Sequence, residues 1–139
     1  MIGVDRVLPR LNTVSSPVDP LRRMSLFLDL PGRAGASRRT RYKHWLPVHA
    51  MEFQRPLLEK DPAEFTIRKD LDALSKVIAA HAEAGTRIPY VRLHHVEGSL
   101  ALQRLRFEDV VVRAVRIDGA ADEAMECVTF SARRWRPER

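Results

Sequence analysis

The sequence predicts a mostly-β chain, an antiparallel β-barrel or two-sheet sandwich carrying one amphipathic α-helix. Three observations carry this reading. Most segments alternate apolar and polar residues, turn residues separate them, and only one stretch switches to a helical period.

Residues 1–23 hold Pro9, Pro17, Pro20 and Ser15-Ser16 without periodicity, and read as a flexible arm ahead of a single domain over 24–139. The first strand is Ser25 to Leu30, where Leu26, Leu28 and Leu30 alternate, and Pro31-Gly32 ends it with turn chemistry. A loop rich in Gly, Ala, Ser and Arg runs on to about Tyr42. Trp45 to Phe53 is expected to place Trp45, Pro47, His49, Met51 and Phe53 on one side, with Pro47 arguing for an edge position. Glu64 to Arg68 is a short alternating strand.

The period then changes. Leu71, Leu74, Val77, Ile78 and Ala82 fall on one stripe of a helix over Leu71 to Glu83, with Asp70 or Asp72 as N-cap and Gly85 as the stop. Ile88 to His95 and Leu100 to Ile117 follow as strands. In the longer one, Leu100 and Leu102 are out of phase with Leu105 and Phe107, so a bend or bulge is expected near Glu108. Asp118-Gly119 begins a turn, and Met125 to about Trp135 is the last strand.

Composition narrows the function classes. The 139 residues suit one domain, with 45% hydrophobic residues to build a core and 30% charged residues to keep it soluble. No apolar run approaches the ~20 residues a spanning helix needs. Met1 to Arg23 lacks the apolar stretch of a secretory signal, so the chain is expected in the cytoplasm or exported without a cleaved signal. Cys127 is the single cysteine and reads as an inert core residue.

Candidates for chemistry are sparse. His94 and His95 are adjacent on a strand, so they point to opposite faces; His44 and His49, five apart, are expected to do the same. Neither pair supplies the convergent ligands of a metal site. The acid pairs Glu108-Asp109 and Asp122-Glu123 read as bend and turn chemistry. No nucleophile elbow, P-loop or dinucleotide fingerprint is present, so neither enzymatic activity nor a cofactor is expected. The net charge of +6 gathers at Arg38 to Lys43 and at Arg133 to Arg136. The basic loop, with Arg33, Gly35, Ala36, Ser37, Arg38, Arg39, Arg41 and Lys43, is the leading functional candidate. One reading is a solvated loop, and another is a phosphate-gripping surface with Tyr42 and Trp45 interleaved.

The order of segments resembles the haemolysin-coregulated protein (Hcp) family, the tube subunit of type VI secretion. The resemblance spans about Met24 to Arg136. It runs through Asp29-Leu30-Pro31-Gly32, Gly35-Ala36-Ser37, Lys43 to Val48, Phe65 to Ser75, Ala84 to Ile88, Leu105 to Val112 and Glu126 to Phe130. The sequence departs from the family at Ala36, where an acidic residue is usual, and in the short stretch Gln54 to Ala63. The resemblance implies hexameric rings stacked into a secreted tube that delivers effectors, with sheath, spike and effector proteins as partners and no membrane insertion. It also implies a role for the basic loop in ring stacking, and removal of Gly35 to Arg39 is expected to leave the fold intact. A basic barrel binding single-stranded nucleic acid is the alternative, and a phage-tail-like tube or adaptor subunit is a third reading.

Overall fold

The computed structural model describes residues 24–54, 56–58, 61–98, 100–119 and 124–138; the expected arm and the pair Asp122-Glu123 lie outside these. Among the described residues the strands are β1 (Met24–Asp29), β2 (Leu46–Val48), β3 (Ala50–Phe53), β4 (Ala63–Asp70), β5 (Ile88–Glu97), β6 (Leu100–Asp118) and β7 (Met125–Pro137), with one α-helix, α1 (Ser75–Ala84). All seven strands form one antiparallel sheet in the order β2-β1-β5-β6-β7-β4-β3.

The sheet's two ends are consecutive in sequence. β2 pairs with β1 through Leu26 and Val48, and β3 pairs with β4 through Met51 and Ile67. Between them the His49 amide donates to the Arg68 carbonyl at 2.8 Å, carrying the β4 ladder up to the corner. One stretch thus serves both ends, and the sheet curls into a nearly closed barrel. This corrects the single face expected for Trp45 to Phe53. Leu46 and Val48 are buried while Pro47 is exposed, and the corner resets the phase so that Met51 and Phe53 point inward.

The interior is a single cluster with an aromatic spine. Phe65 stacks between Phe107 and Phe130, at 4.0 and 4.8 Å, and Phe53 meets Phe107 and Trp135 edge-on at 5.3 Å. Such pairs add ~0.5–1.5 kcal/mol each beyond their area burial.

The bend expected near Glu108 is present as a crease across three strands. Ile88, Val110 and Ala132 stand side by side and inward, and so do Val91, Phe107 and Trp135. Between these two buried rows every strand advances by three residues instead of two, and Asp109 takes a left-handed φ of 56°. Separate register shifts leave Leu102 and Arg113 as extra residues in β6, which accounts for the dephased Leu100 and Leu102.

The helix begins later than expected, at Ser75, and Gly85 closes it with φ 65° and its amide on the His81 carbonyl. Ile78 is buried, but Leu71 is 48% exposed and lies outside the helix. Asp72 caps the turn before α1: its carboxylate accepts the Leu74 amide at 2.9 Å. Asp70 ends β4 and bonds His49 instead.

The delay has a cause in Lys69. Its place in the row Phe65, Ile67, Lys69 aims it inward, where it is fully buried opposite Glu126. Its ammonium bonds Glu126, the Asp70 carbonyl at 2.9 Å, Asp72 at 3.1 Å and Ser75 at 3.3 Å, and Ser75 also donates to Glu126 at 2.9 Å. This network ties the start of α1 to the barrel wall. Lys69→Met alone strands a buried carboxylate and should cost roughly 3–5 kcal/mol in urea unfolding. Adding Glu126→Leu should recover much of that loss; simple additivity of the two substitutions would contradict the assignment.

Candidate functional site

The basic loop is built on a small core of its own, outside the barrel. Its two limbs are knit by backbone bonds: the Gly35 amide to the His44 carbonyl at 2.7 Å, the Ser37 amide to Trp45 at 3.0 Å and the His44 amide to Ser37 at 2.9 Å. Gly35 is demanded by space. A Cβ there would meet the backbone of Trp45 and Leu46 at 2.7 Å. A 3-10 turn, Thr40–Tyr42, drops Tyr42 into the cluster, where it stacks on Phe27 at 4.6 Å beside Val96 and Trp45. The Tyr42 hydroxyl meets His94 Nδ1 at 3.0 Å, and His94 Nε2 lies 3.4 Å from Glu138. Arg92 lies over the Trp45 ring at 4.8 Å and bonds Asp29 with two nitrogens, at 2.8 and 3.0 Å.

The loop residues divide in two. Gly35, Ser37 and Arg39 hold the platform together: Ser37 is buried, and Arg39 bonds Ser25 and the Gly98 carbonyl while lying over Phe27. Arg33, Ala36, Arg38, Arg41 and Lys43 are exposed. The segment Gly35 to Arg39, expected to be removable with the fold intact, supplies one side of each of the three backbone bonds that knit the loop.

The remaining candidates are in structural roles. His44 sits in the loop at φ 70°, so it shares no strand with His49, which bonds Asp70 Oδ1 at 2.9 Å. His94 and His95 do face opposite sides, His94 toward the loop cluster and His95 beside Leu26. Among the described residues no group of three or more His, Cys, Asp or Glu is placed to hold a metal. Asp109 accepts Arg87 and Arg133, each at 3.0 Å. Glu108 takes Arg106 at 3.0 Å and Arg134 at 3.1 Å, and those bonds hold its carboxyl below the usual range. Cys127 is buried, its thiol directed at Asp118, and burial pushes its pKa up, away from reactivity. No helix among the described residues is long and apolar enough to cross a membrane.

Sequence reasoning missed the relay from Tyr42 through His94 to Glu138, because its members lie 52 and 44 residues apart. The alternation of β5 and β1 did carry half the signal, since Phe27 pairs with His94.

Protonation should loosen this platform. Burial lowers the His94 pKa most; Glu138 opposes this, while Arg92 and Arg104 reinforce it. His95 is lowered by burial too, against Glu97. A histidine whose pKa falls on folding stabilises fully above the ordinary value of ~6.5 and loses that contribution as pH drops below it. Unfolding in urea should show lower stability at pH 5.5 than at 7.5, with a slope of at most ~1.4 kcal/mol per pH unit per histidine. His94→Gln should remove part of that slope; an unchanged slope would contradict the role given to His94.

The sequence matches no protein-family model and no curated protein. Solved structures are similar in fold. Hcp1 from Salmonella typhimurium aligns at a TM-score of 0.69 and 20% identity, over 79% of this chain and 81% of that one. A type VI secretion system effector from Yersinia pestis aligns at 0.67 and 22% identity, over 77% and 83%. The secreted protein Hcp3 from Pseudomonas aeruginosa aligns at 0.64 and 14% identity, over 81% and 86%. The corner at His49, the crease at Asp109 and the single helix belong to a chain that has the Hcp fold.

Proposed function

We propose that this chain is a structural tube subunit of a type VI-like contractile secretion apparatus. The observation that carries the reading is the likeness to Hcp structures over about four-fifths of both chains. Subunits close into a six-membered ring, rings stack into a tube, and the tube leaves the cytoplasm with effectors through the apparatus. Sheath and spike proteins are its other partners. No catalytic step is assigned to the chain; its work is to present surfaces to neighbouring copies. The docked loop supports a stacking role, because a pre-ordered contact loses less entropy when it meets the next ring. Nucleic acid is the weaker reading. Tyr42 is buried against Phe27 and is withdrawn from base stacking.

Light scattering tests the proposal through mass. Six times the 15.9 kDa subunit mass is expected, and a monomer mass across high micromolar concentrations would overturn it. The exposed cations test the loop separately. Arg33, Arg38 and Lys43 changed together to Ala should leave rings intact in electron microscopy but shorten stacks, the deficit against the native chain narrowing as salt screens the native contacts. Long, normal tubes from that variant would refute the stacking role.

A further inference from the structure

The outer face of β5, β6 and β7 carries an arrangement that folding alone disfavours. Arg92 stands opposite Arg106, and Arg106 opposite Arg136, so three arginines form a row directly across three strands. Like charges in such positions repel. The next inward-facing residues, Leu93 and Leu105, are buried, which puts the arginine row on the outside. Arg134 and Arg104 flank the row on β7 and β6, on the same face.

Among the described residues, three acids face the five arginines of the row and its flanks. Asp29 is taken by Arg92, and Glu108 is shared by Arg106, Arg134 and, at 3.7 Å, Arg136. Glu138 lies between His94 and Arg106. Arg104 is in no ion pair among the described residues. The side chains of Arg134 and Arg136 remain 60% and 56% exposed. Each guanidinium offers five N–H donors, so most donors on this face are unspent.

We infer that this arginine row is a docking surface for the acidic stripe of an α-helix presented by a partner protein. Spacing supports a helix. Neighbouring strands set the row's residues about 4.8 Å apart, and the Cβ atoms of residues at i and i+4 of a helix stand about 5–6 Å apart. A helix laid across the strands can therefore meet successive arginines with successive acids. Carboxylate is the anion already seated here, held by Arg92 with two nitrogens at Asp29. Bases have little to stack on, because Arg106 covers the Tyr90 ring at 4.2 Å and Arg92 covers Trp45 at 4.8 Å. The inference does not depend on the tube reading.

Fluorescence anisotropy with defined probes tests it. The first probe is a helical peptide with glutamates at every i and i+4 along one face. A second has the same composition with glutamates scattered around the helix, and a third is oligo-dT. The striped peptide should bind about tenfold tighter than the scattered one. Changing Arg104, Arg134 and Arg136 together to Ala should remove about that factor. These side chains are outward, and the circular dichroism of the variant should match that of the native chain. Arg68→Ala, an exposed arginine on a different part of the barrel, should leave binding unchanged. Equal affinity for the two peptides overturns the inference, as does an equal loss with Arg68→Ala. Tighter binding of oligo-dT through the same three arginines also overturns it, in favour of nucleic acid.

Discussion

The stretch from Leu46 to Phe53 has to belong to two ladders at once, and the corner at His49 is what allows it. Its first half pairs with β1 and its second with β4, at opposite ends of the sheet. Without that corner, β1 and β4 would each expose an unpaired edge, the usual liability of an open sheet. Closure also fixes which residues look inward. Met51 and Phe53 reach the aromatic spine only because the backbone changes phase between Val48 and Ala50. The loop platform follows from the same constraint, since it is the connection that delivers the chain from β1 to the start of β2.

Charge is distributed in three distinct ways around this barrel. Lys69 and Glu126 are enclosed and bind α1 to the wall, where a lone partner would be costly. Asp109 and Glu108 sit at the crease and gather arginines from β6, from β7 and from the connection before β5, so the bend is neutralised where the backbone is least regular. The exposed cations of the loop and of the outer sheet are the remainder. Among the described residues these side chains are available to a partner.

Much of the architecture was legible because alternation survives in the strands. Phe65 and Ile67 read directly as one face of the strand, and Gly85 marks the helix end by its chemistry. The broken phase in β6 was visible, but it belongs to the extra residue Leu102, and the bend at Asp109 is a separate feature. Three features were hidden. The phase reset at His49 depends on closure of the distant ladder to β4. The late start of α1 depends on Lys69 reaching Glu126, 57 residues away. The loop looked like a solvated connection because its anchor, Tyr42, is recognised only once Phe27 and His94 are beside it. Of the eight loop residues singled out, sequence could name the segment but could not divide Gly35, Ser37 and Arg39 from their exposed neighbours.

The central claim is that the basic loop is a rigid platform and not a solvated connection. Amide hydrogen exchange tests this most directly, because local opening governs exchange. The amides of Gly35, Ser37, His44 and Trp45, each bonded to a backbone carbonyl within 3.0 Å, should be protected, at levels nearer those of β1 than of an open loop. Exchange of these four amides at the rate of an unstructured chain, with β1 and β5 protected, would contradict the account.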